Sequence, residues 1–213
     1  MFTNINVISE SLCLIVAISQ FRWLKNSVWG LFIPFLAITL AVEIIATFFA
    51  SSSNGALYNS YMLVQFLFTS IFFYKVNEVP AFRYIIVACT VGVFIFSIML
   101  FVFWDSFKNW NDILFTVNCF FTVLFGLFYL LYCINENDLT KVRHQDPALW
   151  ASFGIIIFFS IVSIVFNAGK LVNMEHLTIG GRYLDDLIAQ ILSVFMYGCF
   201  AYAFIIWRNI QTT

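Results

Sequence analysis

Seven long runs of apolar residues, separated by short polar breaks, leave this chain very few ways to fold. Each run is close to the roughly 20 residues that an α-helix needs to cross the hydrocarbon core of a bilayer. The runs fall at about 5–22, 28–50, 57–75, 82–104, 111–134, 149–172 and 183–207, and the first, which contains Glu10, is the weakest. They are continuous and lack the alternation of a membrane β-barrel, so helices are predicted rather than strands. Only 10% of the residues are charged, against about 25% in a soluble domain. Such a chain cannot cover a water-facing surface. The expectation is an all-α, polytopic membrane protein: a single seven-helix transmembrane domain over residues 1–213, with no room for a soluble domain. The net charge of −1 excludes nucleic acid as a partner. The opening MFTNINV has no basic stretch, and Glu10 interrupts the apolar run of a signal peptide, so the first span is expected to remain as a helix.

The breaks carry recognisable punctuation. Trp23, Trp29, Trp104, Trp110, Trp150 and Trp207 all lie at or just beyond a predicted helix end, as an interfacial aromatic belt requires. Asp146-Pro147 reads as an N-cap followed by proline at the first helical position. Asn111 and Asp112 suit the start of the fifth span, and Gly180-Gly181 marks a turn before the seventh. Pro34 falls inside the second span, where a missing backbone donor predicts a kink. Arg22, Lys25, Lys75, Arg83, Lys141, Arg143 and Arg208 share one side of the predicted bundle, and Lys108, Lys170 and Arg182 the other. The positive-inside rule then puts the N-terminus outside and the C-terminus in the cytoplasm. No internal repeat is evident, and an odd helix number argues against an inverted-repeat transporter.

Against this apolar background, the stretch from Glu43 to Gln65 stands out: EIIATFFA, then SSSNGA, then LYNSYMLVQ. Counted outward from the turn, Glu43 and Gln65 lie roughly 10 and 12 Å below the ends of two adjacent antiparallel helices. Glu43 could then donate a hydrogen bond to Gln65 or to a tyrosine. Tyr58, Tyr61 and Gln65 share a face of the third span. With Glu10, Asn118, Asn167, Lys170, Asp186 and Gln190, these residues concentrate in the outer half of the bundle. The fourth span, with only Thr90 and Ser97, reads as peripheral. The pattern predicts a polar, outward-facing pocket lined by Glu10, Glu43, Tyr58, Tyr61, Gln65, Asn118, Asn167, Lys170, Asp186 and Gln190. Interhelical hydrogen bonding is the structural reading of the same amides, and Lys170 alone could extend to the outer surface. A carboxyl at depth, as at Glu43, points to function by default.

Several chemistries are missing. His144 and His176 fall in loops on opposite sides, and all five cysteines lie in apolar runs without CxxC spacing, so neither a metal nor a cofactor is expected. There is no HExxH, GxSxG, phosphate-binding glycine loop or GxxxG pair. The last span has no lysine for a retinal Schiff base. LYNSYMLVQFLFTSIFFYK (Leu57 to Lys75), preceded by a glutamate in the second span, resembles a segment of uncharacterised small seven-helix inner-membrane proteins of Bacteroidota. The resemblance implies a topology and a bacterial inner membrane, and no activity. The functional expectation is a receptor- or sensor-like protein with a small or amphipathic ligand in the outer pocket. Few residues follow the last span, so a separate cytoplasmic signalling partner, or a homo-oligomer, is expected beside membrane lipid, with the loops around Arg83 and Arg143 as contact surfaces. An intramembrane lipid-modifying enzyme using Glu43 and Asp186 as acid and base remains an alternative. So does a proton-linked transporter or oligomeric pore, although Thr69, Ser70 and Thr90 offer it only a thin path through the inner half.

Overall fold

A backbone in hydrocarbon has no water to bond with and must satisfy its own amides, and uninterrupted apolar runs do so as helices. The computed structural model of the chain describes residues 5–48, 54–103, 107, 109–135, 146–171, 178–179 and 182–212, without the side chains of Phe48, Asn135, Gly169, Lys170, Leu171, Thr178, Ile179, Arg182 and Asp185. Its helices are α1 (Ile5–Ser19), α2 (Phe21–Leu24), α3 (Phe32–Phe48), α4 (Gly55–Val76), α5 (Pro80–Phe103), α6 (Asp112–Asn135), α7 (Pro147–Leu171) and α8 (Leu184–Thr212). Among the described residues, six helices are long and apolar enough to cross a membrane, and Ile5–Ser19 is a shorter apolar helix. The chain is thus an integral-membrane helical bundle. Gln20 departs from helical geometry between α1 and α2. Thr178–Ile179 pairs antiparallel with Arg182–Tyr183 in the connection to α8, and the bundle itself is all-α. Trp104, Lys108, Lys141, Arg143, His144, His176 and Gly180-Gly181 lie outside the described residues.

Helix order around the bundle follows from the contacts. α1, α3, α4, α6, α7 and α8 form a closed ring, each packed on the next and α8 back on α1. α5 sits outside it, against α4 and α6. Val87, Val91, Ile95, Ile98 and Val102 of α5 are all exposed, as a peripheral, lipid-facing helix requires. Two seams of the ring depend on a missing side chain. A Cβ at Gly126 would lie 2.5 Å from Ile156 Cγ1, and one at Gly154 would lie 2.9 Å from Cys199 Cβ. Single glycines therefore bring α6 onto α7 and α7 onto α8, the small-residue device common in membranes.

Two sequence expectations change. Pro34 does not kink a long helix. Val28–Leu31 is a 3-10 turn and α3 begins at Phe32, so Pro34 falls in the first turn of α3, where a missing N–H costs little. Trp29, expected in the aromatic belt, is 1% exposed. The 3-10 turn directs it inward, onto Phe32 at 5.4 Å, Phe72 at 5.8 Å, and Phe204 and Trp207 at 6.2 Å between ring centroids. Phe32 in turn meets Phe68, Phe72, Phe200 and Phe204 edge-on. This aromatic core fills the end of the bundle that carries Arg22, Lys25, Lys75, Arg83 and Arg208, called the basic end below.

The predicted caps are in place. Asn111 Oδ1 accepts the Leu114 N–H at 2.9 Å at the start of α6. Asp146 Oδ1 accepts the Ala148 N–H at 2.9 Å at the start of α7, and its Oδ2 accepts the Tyr129 hydroxyl at 2.5 Å. The second bond ties this cap to α6.

Candidate functional site

The end opposite the basic one is built differently. On α1 the buried residues are Glu10, Cys13 and Ala17, one stripe at helical spacing, so the carboxyl of Glu10 points into the bundle with the apolar face. Glu10 is 3% exposed. Its Oε1 accepts the Tyr197 hydroxyl of α8 at 3.2 Å, while Oε2 is buried without a hydrogen-bond partner. One turn nearer the membrane surface, Ser193 Oγ meets Asn6 Oδ1 at 2.5 Å. Two polar rungs thus join α1 and α8.

Glu43 of α3 is half-buried and within electrostatic reach of Glu10. Beside it, Thr39 gives its hydroxyl proton to Phe35 O at 3.0 Å, so the Tyr61 hydroxyl donates to Thr39 Oγ1 at 2.8 Å. Tyr61 senses the charges of Glu10 and Glu43, and Tyr58 those of Glu43, Glu10 and Asp186. Glu10, Glu43, Tyr58, Tyr61 and Asp186 are therefore gathered from α1, α3, α4 and α8, with Tyr197 closing the floor. Exposure rises from Glu10, buried, through Glu43 and Tyr58, half-buried, to Asp186, exposed. Asp186, in the first turn of α8, is the open edge of the cluster.

Of the other predicted site residues, Asn118 and Asn167 stand on other seams of the ring. Gln65 is half-buried on α4, with no hydrogen bond to these residues among the described ones. Gln190 lends its backbone oxygen to Ser193 Oγ at 2.9 Å. Asn118 is buried between α4 and α6, its amide 3.5 Å from Met62 O and its Oδ1 without a partner. Asn167 is exposed and joins Thr116 at 3.2 Å and Ser163 O at 2.7 Å, on the α6–α7 side. The side chain of Lys170 lies outside the described residues. Thr69, Ser70 and Thr90, the thin path toward the basic end, spend their hydroxyls on backbone oxygens of their own helices.

Two residues had more weight than their sequence signal showed. Asn59 is fully buried; its amide donates to Phe107 O at 2.9 Å and Asn109 O at 2.6 Å, and its oxygen accepts the Asn111 N–H at 3.2 Å. It clamps the α5–α6 connection onto α4. Asn6 is the other, as the partner of Ser193. Asn59 stands one residue off the stripe of Tyr58, Tyr61 and Gln65, whereas Asn6 stands one turn before Glu10 on the same face of α1, and its partner on α8 is revealed only by the fold.

Chemically the cluster offers carboxyls and phenols: it can hold a cation against oxygens and ring faces, or carry a proton. Among the described residues no group of three His, Cys, Asp or Glu side chains could hold a metal ion. No protein-family model, curated protein or solved structure matches the chain.

Proposed function

We propose that the chain is a seven-helix, receptor- or sensor-like membrane protein whose cluster between α1, α3, α4 and α8 binds a small or amphipathic ligand with a cationic group. The observation that carries this is Glu10: a carboxyl 3% exposed, with one oxygen unpartnered, and within electrostatic reach of Glu43. A buried carboxyl oxygen without a donor is costly, and a bound cation would offset that cost. Tyr58, Tyr61 and Tyr197 supply hydroxyls and ring faces, and the exposed Asp186 marks the way in. The lysine and arginine distribution supports placing the cluster in the outer half, with the N-terminus outside and the C-terminus in the cytoplasm of a bacterial inner membrane. Ligand binding would press α1 and α8 together or apart, and the basic loops would pass that movement to a cytoplasmic partner.

The test uses the purified full chain in detergent, with dodecylamine and dodecyltrimethylammonium as cationic probes and dodecanol as the uncharged control. Both cations should raise the unfolding temperature and dodecanol should not. Glu10→Gln should abolish the rise while the helical circular dichroism stays unchanged. Equal stabilisation by dodecanol, or a rise that survives in Glu10→Gln, removes the acidic site from the reading.

A further inference from the structure

A second feature lies near the other face of the membrane. Between α4 and α5 runs an outward-facing groove of about 220 Å³, lined by Leu67, Ile71 and Tyr74 on one side and Ile86, Val87 and Val91 on the other. Ser70 and Thr90 also border it, but their hydroxyls are bonded to Phe66 O and Ile86 O at 2.7 and 2.6 Å. The groove therefore presents hydrocarbon to hydrocarbon. From Leu67 to Tyr74 it follows the helix for about 10 Å.

At the basic end this groove meets Arg83, one turn before Ile86 and Val87 on the same face of α5. Arg83 is held from two directions: its Nε donates to Asn77 O at 2.5 Å, and its Cζ stands 5.6 Å from the centroid of the Tyr74 ring. Tyr74 is itself a wall of the groove. Among the described residues the two terminal guanidinium nitrogens have no protein partner, and the side chain is only half-buried. A fixed guanidinium with a free pair of donors matches a phosphate in geometry as well as in charge.

We infer that the α4–α5 groove with Arg83 is a binding site for one anionic phospholipid of the leaflet at the basic end, its acyl chain along Leu67–Tyr74 and its phosphate on Arg83. The apolar groove alone would accept any chain. Arg83, positioned by Asn77 O and Tyr74, is what selects the charged headgroup, and exposed Lys75 and Tyr84 stand at the same end. This site is independent of the acidic cluster.

The experiment titrates the full chain in detergent with phosphatidylglycerol or with phosphatidylcholine of the same acyl chains, and counts bound lipids by native mass spectrometry. The wild-type chain should retain one phosphatidylglycerol in preference to phosphatidylcholine. Arg83→Gln should reduce that preference about fivefold, the effect of one basic group at a membrane surface. Arg83→Lys, which keeps the charge and loses the fork that Asn77 O and Tyr74 hold, should keep only part of it, and Lys25→Gln, at the same end but away from the groove, should keep all of it. Val87→Trp, which fills the groove and leaves Arg83 in place, should lower retention of both lipids. An unchanged preference in Arg83→Gln overturns the site. So does an equal loss in Lys25→Gln, which would show a general charge effect, or a groove occupied by a second copy, seen as lipid-free dimers that Val87→Trp disrupts.

Discussion

The two ends of this bundle solve the same packing problem with opposite means. At the basic end Trp29, Phe32, Phe72 and Phe204 fill the space with rings at centroid distances of 5.4–6.2 Å. At the other end, single directed bonds join helices: Asn6 to Ser193, Glu10 to Tyr197, Thr39 to Tyr61, and Asn59 to the α5–α6 connection. In lipid neither end gains from expelling water, so ring packing acts through many small dispersion contacts, and polar bonds act through geometry. A ring core tolerates a change of shape and suffers from lost volume. A polar end tolerates lost volume and suffers from an orphaned donor.

That contrast can be broken experimentally, beginning where the expected effect is largest. Phe32→Ala removes the ring on which five others converge and should cost about 3 kcal/mol in reversible unfolding from mixed micelles; Phe32→Leu should cost less than half of that. If Asn59→Ala proved the more damaging change, the basic end would not be the main anchor. Asn59→Ala removes donors to two backbone oxygens and the acceptor of a third bond, an expected loss of about 2 kcal/mol. Hydrogen exchange should locate the loss at Asn109–Asp112 and leave α3 unaffected. Gly154→Ala sharpens the comparison from the packing side: its Cβ would press on Cys199 Cβ and lie 3.2 Å from Met196 O. Overpacking against backbone should cost about 1–2 kcal/mol, and crosslinking between α7 and α8 should report the separation. Tyr197→Phe removes one hydroxyl and leaves the ring. It should cost about 0.6 kcal/mol, typical of a membrane interhelical hydrogen bond, and should alter the response to dodecylamine more than the stability.

Much of this architecture was legible in the residues. The length of the apolar runs located six helices long enough to cross a membrane, because hydrocarbon thickness sets helix length whatever the packing, while the first run holds the shorter helix Ile5–Ser19. Asp146-Pro147 and Asn111 declared their caps through local chemistry. What escaped was whatever depends on a neighbour. Glu43 was read against Gln65 across a hairpin, whereas the structure brings it near Glu10, on a helix earlier in the chain. Asn167 and Asn118 share a depth with the acidic cluster but stand on other seams of the ring. Depth follows from counting along one helix; azimuth requires knowing the order of helices around the ring. Trp29 is the same lesson at the basic end: its position in the chain matched an interfacial belt, and a 3-10 turn directed it inward.

The seam between α1 and α8 also constrains how the molecule is made. Glu10 and Tyr197 are 187 residues apart in sequence, and so are Asn6 and Ser193. A ribosome delivers α1 first and α8 only after every other described span. Throughout that interval Glu10 lacks the hydroxyl that later receives it, and the ring stays open along one side. Closure is a late event of biogenesis, and the nascent chain must shelter an acidic helix until it happens. A chain truncated before Ser193 should leave α1 accessible to membrane insertion factors, and the chain that includes Tyr197 should not.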